Sequence, residues 1–331
     1  MLKSKKRKKE ENQDKFLRAI NDRKSKIIHL THNDLDAAGC DAIHRLKYGE
    51  LFTIWSSISK FEENLKIVSK LPGKGDTISI SDIGYHKKSS EYLKSARENG
   101  WKIEWRDHHR WNDAEKEEIS NLTDYFKIDT ETCATGIVAR DLMPGDNHAK
   151  EIARVVCDYD LWKHEDPRSR ILGEVGSKWK NLDMIRDCFI SGKIVNKDIE
   201  KIYEEISREK AEAIEKSIKK SRIYEGRYKV AFAPMYGYPS ETAHAIRDKM
   251  DTDIEVIFSD TGKFSIRSKP PVSHLIAREF GGGGHPPAAG GQFDYSISDR
   301  ISTFLFGKNR HFKRLFEVAE KYYEDTSGNN K

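Results

Sequence analysis

From residue 26 onward, short apolar runs alternate with longer stretches in which apolar residues recur every three or four positions. Residues 26–31 (KIIHLT) read as a buried strand, followed by a helix over about 38–46. Residues 51–56 (LFTIWS) read as a second strand with a helix near 60–70 behind it. A third strand at 76–81 is introduced by the breakers Pro72, Gly73 and Gly75; a helix near 88–98 follows, closed by Gly100. Residues 101–106 (WKIEWR) alternate with period two, as a fourth strand. Strands separated by helices imply right-handed crossovers and a mostly parallel sheet flanked by helices, an α/β fold. Ligands of such sheets sit at the carboxyl ends of the strands.

Helical pattern continues through about 132–143 and 148–157. Residues 197–221 are long, highly charged and free of Gly and Pro, and read as a helix joining two domains. Their apolar stripe lacks the several clean heptads of a coiled coil. The pattern then restarts, with strands at 228–233, 253–259 and 263–267 and helices at about 239–249, 272–280 and 309–324. The expected organisation is a basic disordered tail (1–14), a catalytic domain (15–192), a linker helix (193–224) and a smaller α/β substrate-binding domain (225–331).

A length of 331 residues suits two domains. The net charge of +5 is local: Lys3, Lys5, Lys6, Arg7, Lys8 and Lys9 leave the remainder near −1. That run reads as a solvated tail or as an electrostatic tether to nucleic acid. The cysteines (Cys40, Cys133, Cys157 and Cys188) form no C-x-x-C pair, so reduced thiols in a cytoplasm are expected. No stretch approaches ~18 apolar residues, so no membrane span is expected, and the basic start runs into polar sequence rather than a secretory signal.

Chemistry concentrates at the element ends. His32, Asp34 and Asp36 follow the first strand at spacings i, i+2 and i+4, which in an extended exit would place them on one face. Asp82 ends the third strand, Asp107, His108 and His109 end the fourth, and Asp158 and Asp160 follow an apolar run. Each alone is as readily a capping or surface residue. Jointly, imidazoles and carboxylates at successive exits point to hard or borderline divalent cations, and their number to two ions rather than one.

At this point the sequence resembles the DHH phosphoesterase family, whose four motifs occur in order as H-N-D-L-D, S-D, D-H-H and C-D-Y-D. The glycine–histidine run Gly281–His285 is similar to the signature of the DHH-associated C-terminal domain, and the likeness covers about residues 26–295. The resemblance implies that His32 and Asp34 hold one metal, Asp36 and His108 the other, and that Asp82 bridges them. Asp158 completes the second site, with Asp160 in reserve; His109 lies next to the scissile phosphate and Asp107 orients the histidines. Ala37 stands where the family usually has Gly, with Gly39 two further on, and D-Y-D-L-W replaces the commoner D-T-G-x-F.

On the substrate side, four glycines free the backbone to approach a ligand and form an anion cradle. Gly282, Gly283, Gly284 and His285 are the expected contacts, with Arg267 and Ser268 at a strand end beside them. Trp105, Trp111 and Tyr85 could stack bases or simply fill the core. The expected cofactors are two divalent cations, Mn²⁺ preferred, with Mg²⁺, Co²⁺ or Zn²⁺ acceptable. They activate a bridging water for in-line attack, while His109 and His285 offset charge on the phosphoryl oxygens and the C-terminal domain closes over the substrate. The expected reaction is hydrolysis of short RNA or DNA oligonucleotides or dinucleotides to 5′-mononucleotides, by a chain that can form a homodimer. Alternatives are a cyclic dinucleotide or 3′-phosphoadenosine 5′-phosphate hydrolase, and a non-catalytic nucleic-acid-binding scaffold.

Overall fold

The computed structural model describes residues 14–306 and 309–327, so the basic run at residues 3–9 lies outside the described residues. The chain divides into two compact units, Met1–Glu204 and Glu205–Lys331. Among the described residues, no helix is long and apolar enough to cross a membrane.

The first unit begins with helix α1 (14–21) and continues β1 (Ile27–Thr31), α2 (Leu35–Tyr48), β2 (Phe52–Trp55), α3 (Ile58–Ser69), β3 (Thr77–Ser81), α4 (Ser89–Glu98) and β4 (Lys102–Asp107). Then come α5 (Asp113–Ser120), β5 (Tyr125–Ile128), α6 (Ala134–Leu142), α7 (Asn147–Asp160), α8 (Pro167–Gly176) and α9 (Leu182–Ile190). The sheet order is β2-β1-β3-β4-β5, and every pairing is parallel. β1 and β3 are buried at four successive positions, as strands covered on both faces must be. β5 escapes the sequence pattern because it is a half-exposed edge strand.

Register places the site. Thr31 is paired with Ser81, and Ser81 with Arg106, so β1, β3 and β4 end level and side by side. Neighbouring strands lie ~4.8 Å apart, so residues just beyond these ends are within one ion's reach of each other. The core beneath contains Phe61, Leu65, Ile78, Ile103 and Trp105.

Cys133 and Cys157 are disulfide-bonded, which corrects the expectation of four reduced thiols; Cys40 and Cys188 are free and buried. The bond joins the residue capping α6 to the middle of α7, a proximity that spacing along the chain does not reveal.

Helix α10 (Lys197–Lys219) runs unbroken across the boundary between the units. The second unit adds β6 (Arg222–Glu225), β7 (Lys229–Pro234), α11 (Pro239–Met250), β8 (Ile254–Phe258), β9 (Lys263–Ser268), α12 (Ser273–Arg278), β10 (Gly283–His285), β11 (Ala288–Gln292), α13 (Ile297–Phe306) and α14 (Arg310–Ser327). Its sheet order is β10-β11-β9-β8-β7-β6, with only β7 and β8 parallel. β6 falls in the stretch expected to be linker. The glycine run is a strand of a tight hairpin rather than an open loop. Its glycines are needed there: a Cβ on Gly282 would lie 2.0 Å from the Gly290 carbonyl oxygen, and Gly284 adopts φ +145°.

Candidate metal centre

The cluster starts where β1 becomes α2. Asp34 is the N-cap, its Oδ1 accepting from Ala37 N at 3.1 Å, and its Oδ2 meets His32 Nδ1 at 2.6 Å. Because the helix opens at Leu35, His32, Asp34 and Asp36 do not alternate along an extended exit as expected. Asp36 stands in the first turn of α2, only 1% exposed, with Oδ2 accepting from Ala134 N (2.7 Å) and Oδ1 from Thr135 N (2.8 Å). Those donors are free because they open α6 and have no partner within it. Thr135 Oγ1 also donates to the Asp36 carbonyl, 2.7 Å away. Gly39 explains itself in the same contact, since a Cβ there would lie 2.3 Å from Thr135 Oγ1. The small residue needed for close packing is therefore Gly39, and Ala37 is accommodated fully buried.

Asp82 leaves β3 in the left-handed region, φ 55°, a conformation an Asp tolerates at a cost of order 1–3 kcal/mol. It is buried, with Oδ1 3.4 Å from His108 Nε2 and Oδ2 3.9 Å from His32 Nδ1. His108 Nε2 also lies 3.7 Å from Asp36 Oδ2, and its Nδ1 lies 3.6 Å from Asp160 Oδ2. Asp107 is fully buried and takes the His109 Nδ1 hydrogen bond at 2.8 Å and the Trp111 Nε1 bond at 2.7 Å. That hydrogen bond to Asp107 raises the His109 pKa against the opposing effect of burial.

Asp158, the expected ligand, is absent from this cluster. Its carboxylate accepts from Glu165 N (3.0 Å), Asp166 N (3.1 Å) and Ser169 Oγ (2.5 Å), and so ties α7 to the start of α8. Asp160 takes its place. Two residues on a helix are rotated by about 200°, so only one of the pair can face the sheet edge.

Among the described residues, three trios have ligand atoms within 4.8 Å of one another: His32–Asp34–Asp82, Asp82–His108–His109 and Asp36–His108–Asp160. Asp82 and His108 each join two trios, so the cluster is continuous. Burial pushes the Asp36 and Asp82 carboxyls up, and neighbouring carboxylates push them further. Asp160 is also raised, by burial and by Asp34, against the pull of His108. In Asp34 burial is outweighed by His32 and the Ala37 N–H, which hold it low. Asp82 Oδ2 and Asp160 Oδ2 are buried without any hydrogen-bond partner. Such oxygens are costly unless a cation satisfies them. An imidazole and carboxylate donor set without thiolate suits divalent cations of the hard or borderline class.

No family model matches the chain. It is 22% identical over 309 residues to the oligoribonuclease NrnB of Bacillus subtilis (strain 168), covering 83% of this chain and 74% of that protein. The pGpG-specific phosphodiesterase PggH from Vibrio cholerae has the same fold, with TM-score 0.50 and 12% identity over 89% of this chain and 99% of that one. The chain is thus similar to an oligoribonuclease in sequence and to a dinucleotide phosphodiesterase in fold.

The second unit groups some of the expected substrate contacts. Ala288 is in register with both Arg267 and His285, so the three side chains share one face of the sheet. Arg267 donates to Ser240 Oγ (2.7 Å), Ser265 Oγ (2.9 Å) and the Ile266 carbonyl (3.0 Å). Ser268 is buried and its hydroxyl is used inside the fold, donating to the Pro270 carbonyl at 2.6 Å. His285 and Gly283–Gly284 are exposed. Trp105 and Trp111 are core residues bonded to Ile83 O and Asp107, and Tyr85 packs edge-on against Trp111, which leaves these rings to the core rather than to bases. The α6 donors to Asp36 went unnoticed in the sequence because backbone N–H groups carry no residue signature.

Proposed function

We propose that this chain is a DHH-type phosphoesterase that hydrolyses short oligonucleotides or dinucleotides to 5′-mononucleotides, using two divalent cations with Mn²⁺ preferred. The observation that carries this reading is Asp82, whose two oxygens face different histidines: Oδ1 towards His108 and Oδ2 towards His32. One carboxylate set between two ligand groups suits a bridge between two ions. His32 and Asp34 would hold one ion; Asp36, His108 and Asp160 would hold the other. When bound, such a pair supplies a nucleophile from water at neutral pH and offsets charge in an in-line displacement.

The chain's own residues do the rest. Asp107 anchors His109 through its Nδ1, which fixes the ring beside the cluster as a donor for a phosphoryl oxygen. Arg267 and His285, on one face of the second sheet, supply cationic or donor groups for the substrate's second phosphate or its sugar. The backbone of Gly282–Gly284 allows close approach there. Ser268 would contribute through its backbone only, since its hydroxyl is engaged. The names of the oligoribonuclease and dinucleotide phosphodiesterase relatives support nucleic acid as the substrate class.

The test is a product assay over di- to heptanucleotide RNA and DNA, cyclic di-AMP and 3′-phosphoadenosine 5′-phosphate, each with Mn²⁺ and Mg²⁺. The expected result is Mn²⁺-dependent release of 5′-mononucleotides from the short linear substrates, abolished in Asp82→Ala. Unchanged activity in that variant would sink the two-ion account. Binding without turnover at every Mn²⁺ concentration would make the chain a scaffold.

A further inference from the structure

The chain holds six tryptophans, and two are largely exposed: Trp162 at 75% and Trp179 at 66%. Trp162 stands in an aromatic group. Its ring lies 4.4 Å from His164 and 6.3 Å from Tyr159, and Tyr159 meets His164 edge-on at 5.7 Å. Trp162 follows the cluster residue Asp160 by two positions, so their Cα atoms are at most about 7 Å apart. The backbone position that carries the indole is therefore about one nucleotide's phosphate-to-base span from that of Asp160.

The backbone that carries these rings is pinned by hydrogen bonds. Trp162 and His164 have φ of 59° and 56°, backbone conformations that bulky residues rarely adopt. They are held by the Asp158 carbonyl, which accepts from Lys163 N (2.9 Å) and His164 N (3.3 Å), while the Asp158 carboxylate clamps Glu165, Asp166 and Ser169. Tyr159 is seated against Gly173, where a Cβ would come within 2.0 Å of the ring. A backbone set before binding loses little freedom when a ligand arrives.

We propose that Trp162, backed by Tyr159 and His164, is a nucleobase-stacking subsite that selects base-bearing phosphodiesters over phosphodiesters or polyphosphates without a base. Stacking is sequence-tolerant because every base presents a π-face. The proposal rests on the phosphodiesterase reading and adds a specificity determinant to it. Asp158 then has a role without binding metal: it builds the loop that presents the indole.

The experiment uses the full chain and two readouts. In EDTA, a 5′-phosphorylated dinucleotide carrying 2-aminopurine reports stacking by fluorescence quenching; wild type and Trp162→Phe should quench, and Trp162→Ala should not. With Mn²⁺, the KM for pApA in Trp162→Ala should rise at least about 5-fold more than the KM for the abasic dinucleotide, the low end of measured base–aromatic stacking. Equal quenching in wild type and Trp162→Ala, or equal kinetic losses on both substrates, would overturn the subsite. Trp162-dependent quenching without turnover of any substrate would uphold the subsite and sink the phosphodiesterase reading. Turnover without Trp162-dependent quenching would do the reverse.

Discussion

Asp158 and Asp160 stand two positions apart in the motif but in different surroundings, and isosteric replacement separates them. In Asp158→Asn, the amide group must face at least one of the three donors that the carboxylate now accepts. A hydrogen bond to a charged group contributes about 1.5–3 kcal/mol, so the variant should lose about 2–3 kcal/mol. For a unit of this size that is a fall in Tm of about 4–10 °C. Metal affinity should change little. In Asp160→Asn no hydrogen bond is lost, because Oδ2 has no partner. What disappears is repulsion with Asp36, whose ligand atom lies within 4.8 Å, on the order of 3 kcal/mol at an effective dielectric of ~20 when both are ionised, offset in part by the lost attraction to His108, 3.6 Å away. In EDTA the Asp160→Asn variant should therefore melt no lower than wild type. Its apparent Mn²⁺ affinity should fall by more than the 10–100-fold typical of losing a group that merely supports a ligand. Thermal melts with and without Mn²⁺, together with Mn²⁺ titration of activity, measure both. A fall in Mn²⁺ affinity in Asp158→Asn with an unchanged melt, and none in Asp160→Asn, would refute the assignment.

Stability should depend on pH in opposite ways with and without metal. In EDTA, Asp36 is pushed up to about 8 and Asp82 and Asp160 are also raised, so the folded state binds more protons than the unfolded chain above the ordinary carboxylate range. This cluster's contribution therefore falls as pH rises from about 4 to about 8, and urea midpoints in EDTA should be lower at pH 8 than at pH 5.5; saturating Mn²⁺ should remove or reverse the trend. Gly39→Ala drives a Cβ to 2.3 Å from Thr135 Oγ1, so it should cost about 1–3 kcal/mol by overpacking and also weaken Mn²⁺-dependent activity, because Thr135 holds Asp36. An unchanged melt would mean that α6 shifts freely. The Cys133–Cys157 bond closes 24 residues, so its reduction should cost about 3 kcal/mol on the loop-entropy account; equal urea midpoints with and without dithiothreitol would argue against it.

Much of the first unit was legible because its signals are local. Buried parallel strands are continuous apolar runs bounded by breakers, and a strand that ends at a sheet edge exposes whatever follows it. His32, Asp34, Asp36, Asp82 and His108 could therefore be grouped from their positions after such runs, and the alternation of elements implied the parallel sheet. The same signal failed at β5, whose edge position leaves it half polar, and at β10, where a run of glycines became a strand because the Gly290 carbonyl needs its neighbour to lack a side chain. Tertiary structure alone decided the rest. Whether Asp158 or Asp160 faces the sheet depends on the rotation of α7, whose face bearing Val155 and Val156 is buried, and not on the motif. The donors to Asp36 are peptide N–H groups almost a hundred residues away. The pairing of Cys133 with Cys157 needed α6 and α7 side by side. Trp162 and Trp105 have the same side chain, but one is 75% exposed and the other fully buried. Residue type and spacing set which chemistry the chain can carry out; long-range packing set which atoms meet to do it.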